Sequence, residues 1–214
     1  MREHTSSRAT FRVAILLWPL LMTINSAHGE SLTGKDLIAA LREGGYVILM
    51  RHASSPHDPP NGAHAEVDNV QHERQLDEGG RTSARAMGEA LRRFRIPIGK
   101  VLSSPTYRAL ETIKLAQFGP ATIFVELGDG GQSMLADKSG ARAAWLKAKS
   151  AAPPMPGQNT IIVTHFPNIT EAFPRDAVGL ADGEALIIHP DGGGSARVVA
   201  LVKIDEWSHL DTSQ

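Results

Sequence analysis

Two histidines and two arginines stand where this chain could do chemistry, each just past a short apolar run. Arg51 and His52 follow Tyr46-Val47-Ile48-Leu49-Met50. Arg108 follows Val101-Leu102 through Ser103-Ser104-Pro105, and His165 follows Thr160-Ile161-Ile162-Val163-Thr164. Short β-branched runs bounded by Gly, Pro or Ser read as buried strands. If the three run parallel, their C-terminal ends share one edge, which is where ligands bind in open α/β sheets. Two guanidiniums and two imidazoles then meet in one pocket. Guanidiniums hold phosphoryl oxygens by charge-assisted, often bidentate bonds and stabilise charge as the group transfers. A neutral imidazole is a nucleophile at neutral pH without a metal. The second imidazole, if protonated, adds a donor. A carboxylic acid must still protonate the leaving alcohol. Taken singly, each residue has an ordinary use as a buried histidine or an ion-pair partner. Their joint placement is what argues for a site.

The elements that must position these groups are legible as alternating helices and strands. Leu37, Ile38 and Leu41 predict a helix over 31–42 with Thr33 as its cap, stopped by Gly44-Gly45. Ala84, Met87, Leu91 and Phe94 predict one over 77–94. A strand over 100–104 leads to a helix over 106–117, with Pro105 in its first turn. A strand over 122–127, a helix over 141–149, the strand 160–164 and a helix from Pro167 follow. Residues 185–189 and 196–204 flank Pro190-Asp191-Gly192-Gly193-Gly194 as a closing hairpin. The expected fold is α/β: a three-layer α/β/α sandwich with a mostly parallel central sheet and a C-terminal β-hairpin.

Composition narrows the possibilities. A chain of 214 residues with 42% hydrophobic content is expected to form one domain, here residues 30–214. Cysteine is absent, which excludes disulfides, thiolate metal sites and cysteine nucleophiles. Residues 1–29 have the pattern of a cleaved secretory signal. Arg2, Arg8 and Arg12 precede an apolar stretch from Val13 to Met22, and Ala27-His28-Gly29 supplies small residues before a cut at Glu30. That stretch is shorter than the roughly 20 residues that span a bilayer, so no stable membrane anchor is expected after cleavage. The expected location is periplasmic or secreted. The formal net charge is −1 with no block of like charges, so nucleic acid is not an expected partner. Residues 53–75 read as a long polar loop holding His57, His64 and His72. Their spacing matches no zinc pattern, so no metal site is expected there.

The motifs together resemble the histidine phosphatase (phosphoglycerate-mutase-like) superfamily, in its small secreted bacterial branch. Leu49-Met50-Arg51-His52-Ala53 is similar to its Arg-His-Gly/Ala signature. Leu76-Asp77-Glu78-Gly79-Gly80-Arg81 is similar to its Leu-Thr-x-x-Gly-x segment. Ser103-Ser104-Pro105-Thr106-Tyr107-Arg108-Ala109-Leu110-Glu111-Thr112 resembles Ser-Ser-Pro-x-x-Arg-Ala-x-x-Thr, and Val163-Thr164-His165 resembles the second-histidine strand, where Gly-His is commoner. The resemblance spans residues 45–204. It implies that His52 is the nucleophile that forms a phosphohistidine, and that Arg51, Arg108 and His165 bind the phosphoryl group. It implies no cofactor and no metal. Asn168 is a further candidate substrate contact. For the proton donor, Glu184 in Gly183-Glu184-Ala185 is preferred, because small secreted relatives carry a similar stretch. Glu126, at the end of a predicted strand, is the alternative, with Asp182 and Glu171 more remote.

The expected activity is a phosphomonoesterase acting on a small-molecule or glycan phosphate ester. Secretion argues against a glycolytic mutase, and an envelope-glycan phosphate is one plausible substrate class. The alternative is a catalytically weak phosphate-ligand binding or envelope-interaction protein on the same fold, and a histidine-rich metal binder is a third reading. Residues 53–75 and 127–158 are expected to shape specificity. Oligomeric state is not legible.

Overall fold

The computed structural model describes residue 1 and residues 31–56, 73–129 and 140–212. The signal-like segment and His57, His64 and His72 lie outside the described residues.

Helix α1 spans Gly34–Glu43 and strand β1 spans Val47–Arg51. Between them Gly44 takes φ +81°, and a Cβ there would strike the Gln158 backbone, so the chain can turn into the sheet only with glycine. Helix α2 spans Glu78–Arg93, β2 Ile98–Ser103, α3 Tyr107–Ala116 and β3 Thr122–Ile123. Helix α4 spans Ala141–Ser150, β4 Asn159–Thr164 and α5 Phe166–Ala172. Strands β5 (Ala185–Pro190) and β6 (Ala196–Val202) close the sheet.

The six strands lie in the order β3-β2-β4-β1-β5-β6. β1 to β4 run parallel, β5 pairs antiparallel to β1, and β5 and β6 form the hairpin. Alternate residues of the central strands feed opposite faces. Ile48 and Met50 join Leu37, Leu41, Met87, Leu91 and Trp207 on one side. Val47 and Leu49 join Leu146, Ile162 and Ile169 on the other. This is the expected three-layer α/β arrangement. Both faces are covered, which is why β1 and β4 read as continuous apolar runs.

Three local expectations need correction. Thr33 occupies the N-cap of α1 but makes no side-chain capping bond. Pro105 lies before α3, whose N-cap is Thr106, so it shapes the turn rather than the first helical turn. The strand expected over 122–127 pairs only at Thr122 and Ile123, at the sheet edge, and Val125–Leu127 then coil into a 3-10 turn. That turn buries Leu127 against α4 and α5 and puts Glu126 on a turn rather than a strand end.

Candidate active site

Parallel β1, β2 and β4 bring the three polar strand ends to one edge. Arg51 is the last residue of β1, His52 follows it, and His165 follows β4. Arg108 lies in the first turn of α3, reached from β2 through Ser104. The His52 backbone N–H donates to the Thr164 carbonyl at 3.0 Å, and the Ser104 N–H donates to the Val163 carbonyl at 3.0 Å. The three exits are therefore stitched to one another one or two residues beyond the buried strands.

Three of the four side chains, Arg108, His52 and His165, meet directly, whereas Arg51 touches none of them and reaches His52 only through its charge. Arg108 Nε donates to His52 Nε2 at 3.2 Å, and an Arg108 terminal nitrogen lies 3.3 Å from His165 Nδ1. The imidazole centroids are 5.1 Å apart, edge to face. His52 Nδ1 is 2.7 Å from the Ala53 carbonyl, which can only accept, so the proton sits on Nδ1 and Nε2 carries the lone pair. By the same logic His165 Nδ1 accepts from Arg108, and its Nε2–H donates to Ser104 Oγ at 2.8 Å. Burial, reinforced by Arg108, lowers the His52 pKa to about 3. Burial and then Arg108 also hold His165 well below its ordinary value. Both rings are neutral near pH 7. A protonated second imidazole, considered from the sequence, is therefore not what this environment favours: an enclosed site beside a permanent cation rejects a further positive charge.

Four carboxylates surround the cations. Asp129 Oδ2 pairs with Arg108 at 3.0 Å, and neither side chain is exposed at all. Arg51 pairs with Asp182 at 2.5 Å, donates to the Leu180 carbonyl at 3.3 Å and stacks on Phe166 with 5.4 Å to the ring centroid. Glu184 is buried, and its Oε2 accepts the Ala181 N–H at 2.7 Å, closing the turn that presents Asp182. The Glu184 carbonyl also accepts the Arg51 N–H at 3.1 Å. Glu73, only 5% exposed, accepts the Tyr107 N–H on Oε2 at 2.6 Å, one residue before Arg108. Burial raises its pKa, against the opposing pull of the Tyr107 N–H and of Arg108.

Asn168 is buried beside the site, but its amide nitrogen is committed to the Gly128 carbonyl and to Thr164 Oγ1. It holds the loop carrying Asp129 against β4. Glu126 makes no contact with the cluster among the described residues' hydrogen bonds and ion pairs. Sequence reasoning missed Asp129, Glu73 and Arg74. Arg74 donates to Ser55 Oγ at 2.6 Å, and its charge reaches both imidazoles. A carboxylate directly before an arginine in Glu73-Arg74-Gln75-Leu76 was the one available signal. Among the described residues, no three His, Asp or Glu side chains are grouped as a metal site would need.

The motif Leu76-Asp77-Glu78-Gly79-Gly80 acts as a clamp on the nucleophile loop. Asp77 caps α2 by accepting the Gly80 N–H at 2.7 Å, and it accepts the Ser54 hydroxyl at 2.6 Å. The Asp77 N–H donates to the Ser54 carbonyl at 3.1 Å. The Ser54 hydroxyl and then the Gly80 N–H, both donating to it, hold the Asp77 carboxyl below its usual range. Gly80 approaches so closely that a Cβ would overlap the Ser54 carbonyl.

Residues 47–127 match the histidine phosphatase superfamily (branch 1). The fold is shared with several solved structures. The protein histidine phosphatase SixA complexed with tungstate is 18% identical, with 75% of this chain and 98% of that one covered and a TM-score of 0.54. A SixA phosphohistidine phosphatase candidate from Agrobacterium tumefaciens is 18% identical, with 74% and 97% covered and a TM-score of 0.52. A phosphoserine phosphatase mutant from Entamoeba histolytica, in complex with phosphoserine, is 14% identical, with 74% and 97% covered and a TM-score of 0.50. No curated protein matches the chain at a significant level.

Proposed function

We propose that this chain belongs to the histidine phosphatase superfamily, whose model residues 47–127 match, and that it is a phosphomonoesterase that passes a phosphoryl group from an ester to His52 Nε2 and then to water. One observation carries the reading. The Nε2 lone pair is fixed by the Nδ1 contact to Ala53 and lies 3.2 Å from a fully buried guanidinium. A nucleophile must present a lone pair where the electrophile is held, and Arg108 is suited to hold one. The low pKa of His52 keeps that lone pair available at neutral and mildly acidic pH.

In the first step Nε2 attacks phosphorus, the P–O bond to the leaving group breaks, and the alcohol departs with a proton from an acid. In the second, water attacks the phosphohistidine, loses a proton, and phosphate leaves. Arg108 and Arg51 bind the phosphoryl oxygens in both steps, and His165 joins them by turning its Nε2–H from Ser104 Oγ to the bound group. Arg51 and Arg108 exchange part of their pairing with Asp182 and Asp129 for those oxygens, so the acids hold the guanidiniums in place between turnovers.

The substrate in this reading is a small-molecule or glycan phosphate ester. Structural neighbours named for phosphohistidine and phosphoserine add P–N and amino-acid phosphates to the compounds to be tested. We further propose that the chain works outside the cytoplasm, as a small secreted member, on the strength of the basic and apolar pattern of residues 1–29. Incubating purified protein with a panel of sugar, glycan, amino-acid and aryl phosphates tests the activity. Release of phosphate from at least one ester, abolished in His52→Ala, supports it. Binding without turnover across the panel points instead to a phosphate-ligand binding protein. Fractionation with mass measurement of the mature chain tests export, and an intact Met1 on protein kept in the cytoplasm overturns it.

A further inference from the structure

We infer that Glu73 is the general acid that protonates the leaving oxygen and then the base that activates water. The inference rests on the phosphohistidine reading. Its basis is how the four carboxyls around the cations, three buried and Asp182 partly exposed, are occupied. Asp129 is committed to Arg108 and Asp182 to Arg51. Glu184, ion-paired to no cation among the described residues, spends Oε2 on the Ala181 N–H, in the turn that presents Asp182 rather than on the helix that carries Arg108. Glu73 is likewise ion-paired to no cation among the described residues. Its Oε2 takes the Tyr107 N–H, which leaves Oε1 to carry a proton.

The position is fixed from two sides. On one side Oε2 is tied to the first residue of α3, whose second residue is Arg108. On the other, the adjacent Arg74 donates to Ser55 Oγ, three residues past His52. Residues 73 and 74 therefore bridge the nucleophile loop and the phosphate-binding helix. Glu73 also lies near enough to sense the charges of both Arg108 and Asp129. An enclosed carboxyl of this kind keeps its proton closer to neutral pH, as a general acid requires.

The proton count closes. Glu73 Oε1–H gives its proton to the ester oxygen as the P–O bond breaks, which leaves a carboxylate, a free alcohol and phosphohistidine. The carboxylate then accepts a proton from the water that attacks phosphorus, the P–N bond to His52 Nε2 breaks with its electron pair returning to the ring, phosphate is released and the neutral acid is regenerated.

Glu73→Gln is the informative variant, because its amide oxygen still accepts the Tyr107 N–H and the fold is retained. Turnover of an alkyl phosphate is expected to fall by about 100-fold or more, the usual contribution of a placed acid. Formation of phosphoenzyme from an aryl phosphate with a good leaving group is expected to fall less than about tenfold, since that oxygen needs little protonation. Glu73→Asp is expected to recover part of the alkyl rate. Glu184→Gln is expected to slow both substrates alike or neither. Equal slowing of both substrates in Glu73→Gln, or the leaving-group-dependent loss appearing in Glu184→Gln, overturns the assignment. His52→Ala separates the two levels. If it is inactive while Glu73→Gln is unaffected, only the acid assignment fails. If it keeps full turnover, the phosphohistidine reading fails with it.

Discussion

Arg108 Nε donates to His52 Nε2 at 3.2 Å, while His52 Nδ1 rests 2.7 Å from the Ala53 carbonyl. The pair fixes both the tautomer of the ring and the direction of its lone pair. Arg108 also reaches His165 and Asp129, so a single fully buried guanidinium organises an imidazole on each side and a carboxylate behind it.

Because Arg108 and Asp129 are both fully buried, removing one takes from the other a charge partner at 3.0 Å. Arg108→Met is expected to destabilise the fold by about 3–5 kcal/mol, the usual cost of breaking a buried ion pair. Adding Asp129→Leu is expected to restore most of that stability, since a buried pair replaced by apolar groups is close to neutral. Activity is not expected to return. Urea unfolding beside phosphatase assays checks this. A double variant as active as the parent would show that Arg108 holds no transferring group.

The two neutral imidazoles set the pH dependence of stability. Their folded pKa values are depressed, to about 3 for His52, whereas in the unfolded chain they titrate near 6.5. Below about pH 6.5 the unfolded state binds protons that the native state refuses. Stability is therefore complete above that pH and falls as the pH drops toward the folded value, by up to about 1.4 kcal/mol per pH unit for each histidine. Urea midpoints at about pH 7.5 and about pH 5 should show the decline, and the His52 ring resonances should not titrate between those values. A His52 titration near 6.5 would contradict the neutral, buried nucleophile.

Gly80 is needed for space rather than for backbone freedom. A Cβ there would overlap the Ser54 carbonyl, whereas one on Gly79 would come no closer than 3.3 Å to the Asp77 carboxylate. Gly80→Ala is expected to cost about 1–3 kcal/mol, as overpacking does, and to lower turnover by displacing the loop after His52. Gly79→Ala is expected to be nearly silent in both respects. Thermal melts and steady-state rates on the two variants check the contrast, and equal behaviour would remove the clamp from the account.

The cations and imidazoles were legible in the sequence because each follows an apolar run that only a buried strand explains. A parallel sheet then carries the polar residue after each run to one edge. The carboxylates were not legible. Asp129 sits in a glycine-rich stretch and Glu73 at the end of a long polar one, and neither has periodicity to mark it. Their meaning comes from contacts with α3, 21 residues away for Asp129 and 34 for Glu73. Glu126 was suggested by a strand that stops at Ile123, because an edge strand has only one neighbour to pair with. Asn168 has the residue type of a substrate contact, yet its amide is used in holding the Gly128 loop. The clamp motif was visible as a resemblance, but its purpose needed the Ser54 contacts.

Rapid acid-free quenching of the purified protein with an aryl phosphate, followed by peptide mapping under alkaline conditions, tests the central claim most directly. The account predicts an acid-labile, base-stable phosphoryl group on His52 that forms within a turnover and is absent in His52→Ala. A phosphoryl group on any other residue, or full turnover by His52→Ala, would contradict it.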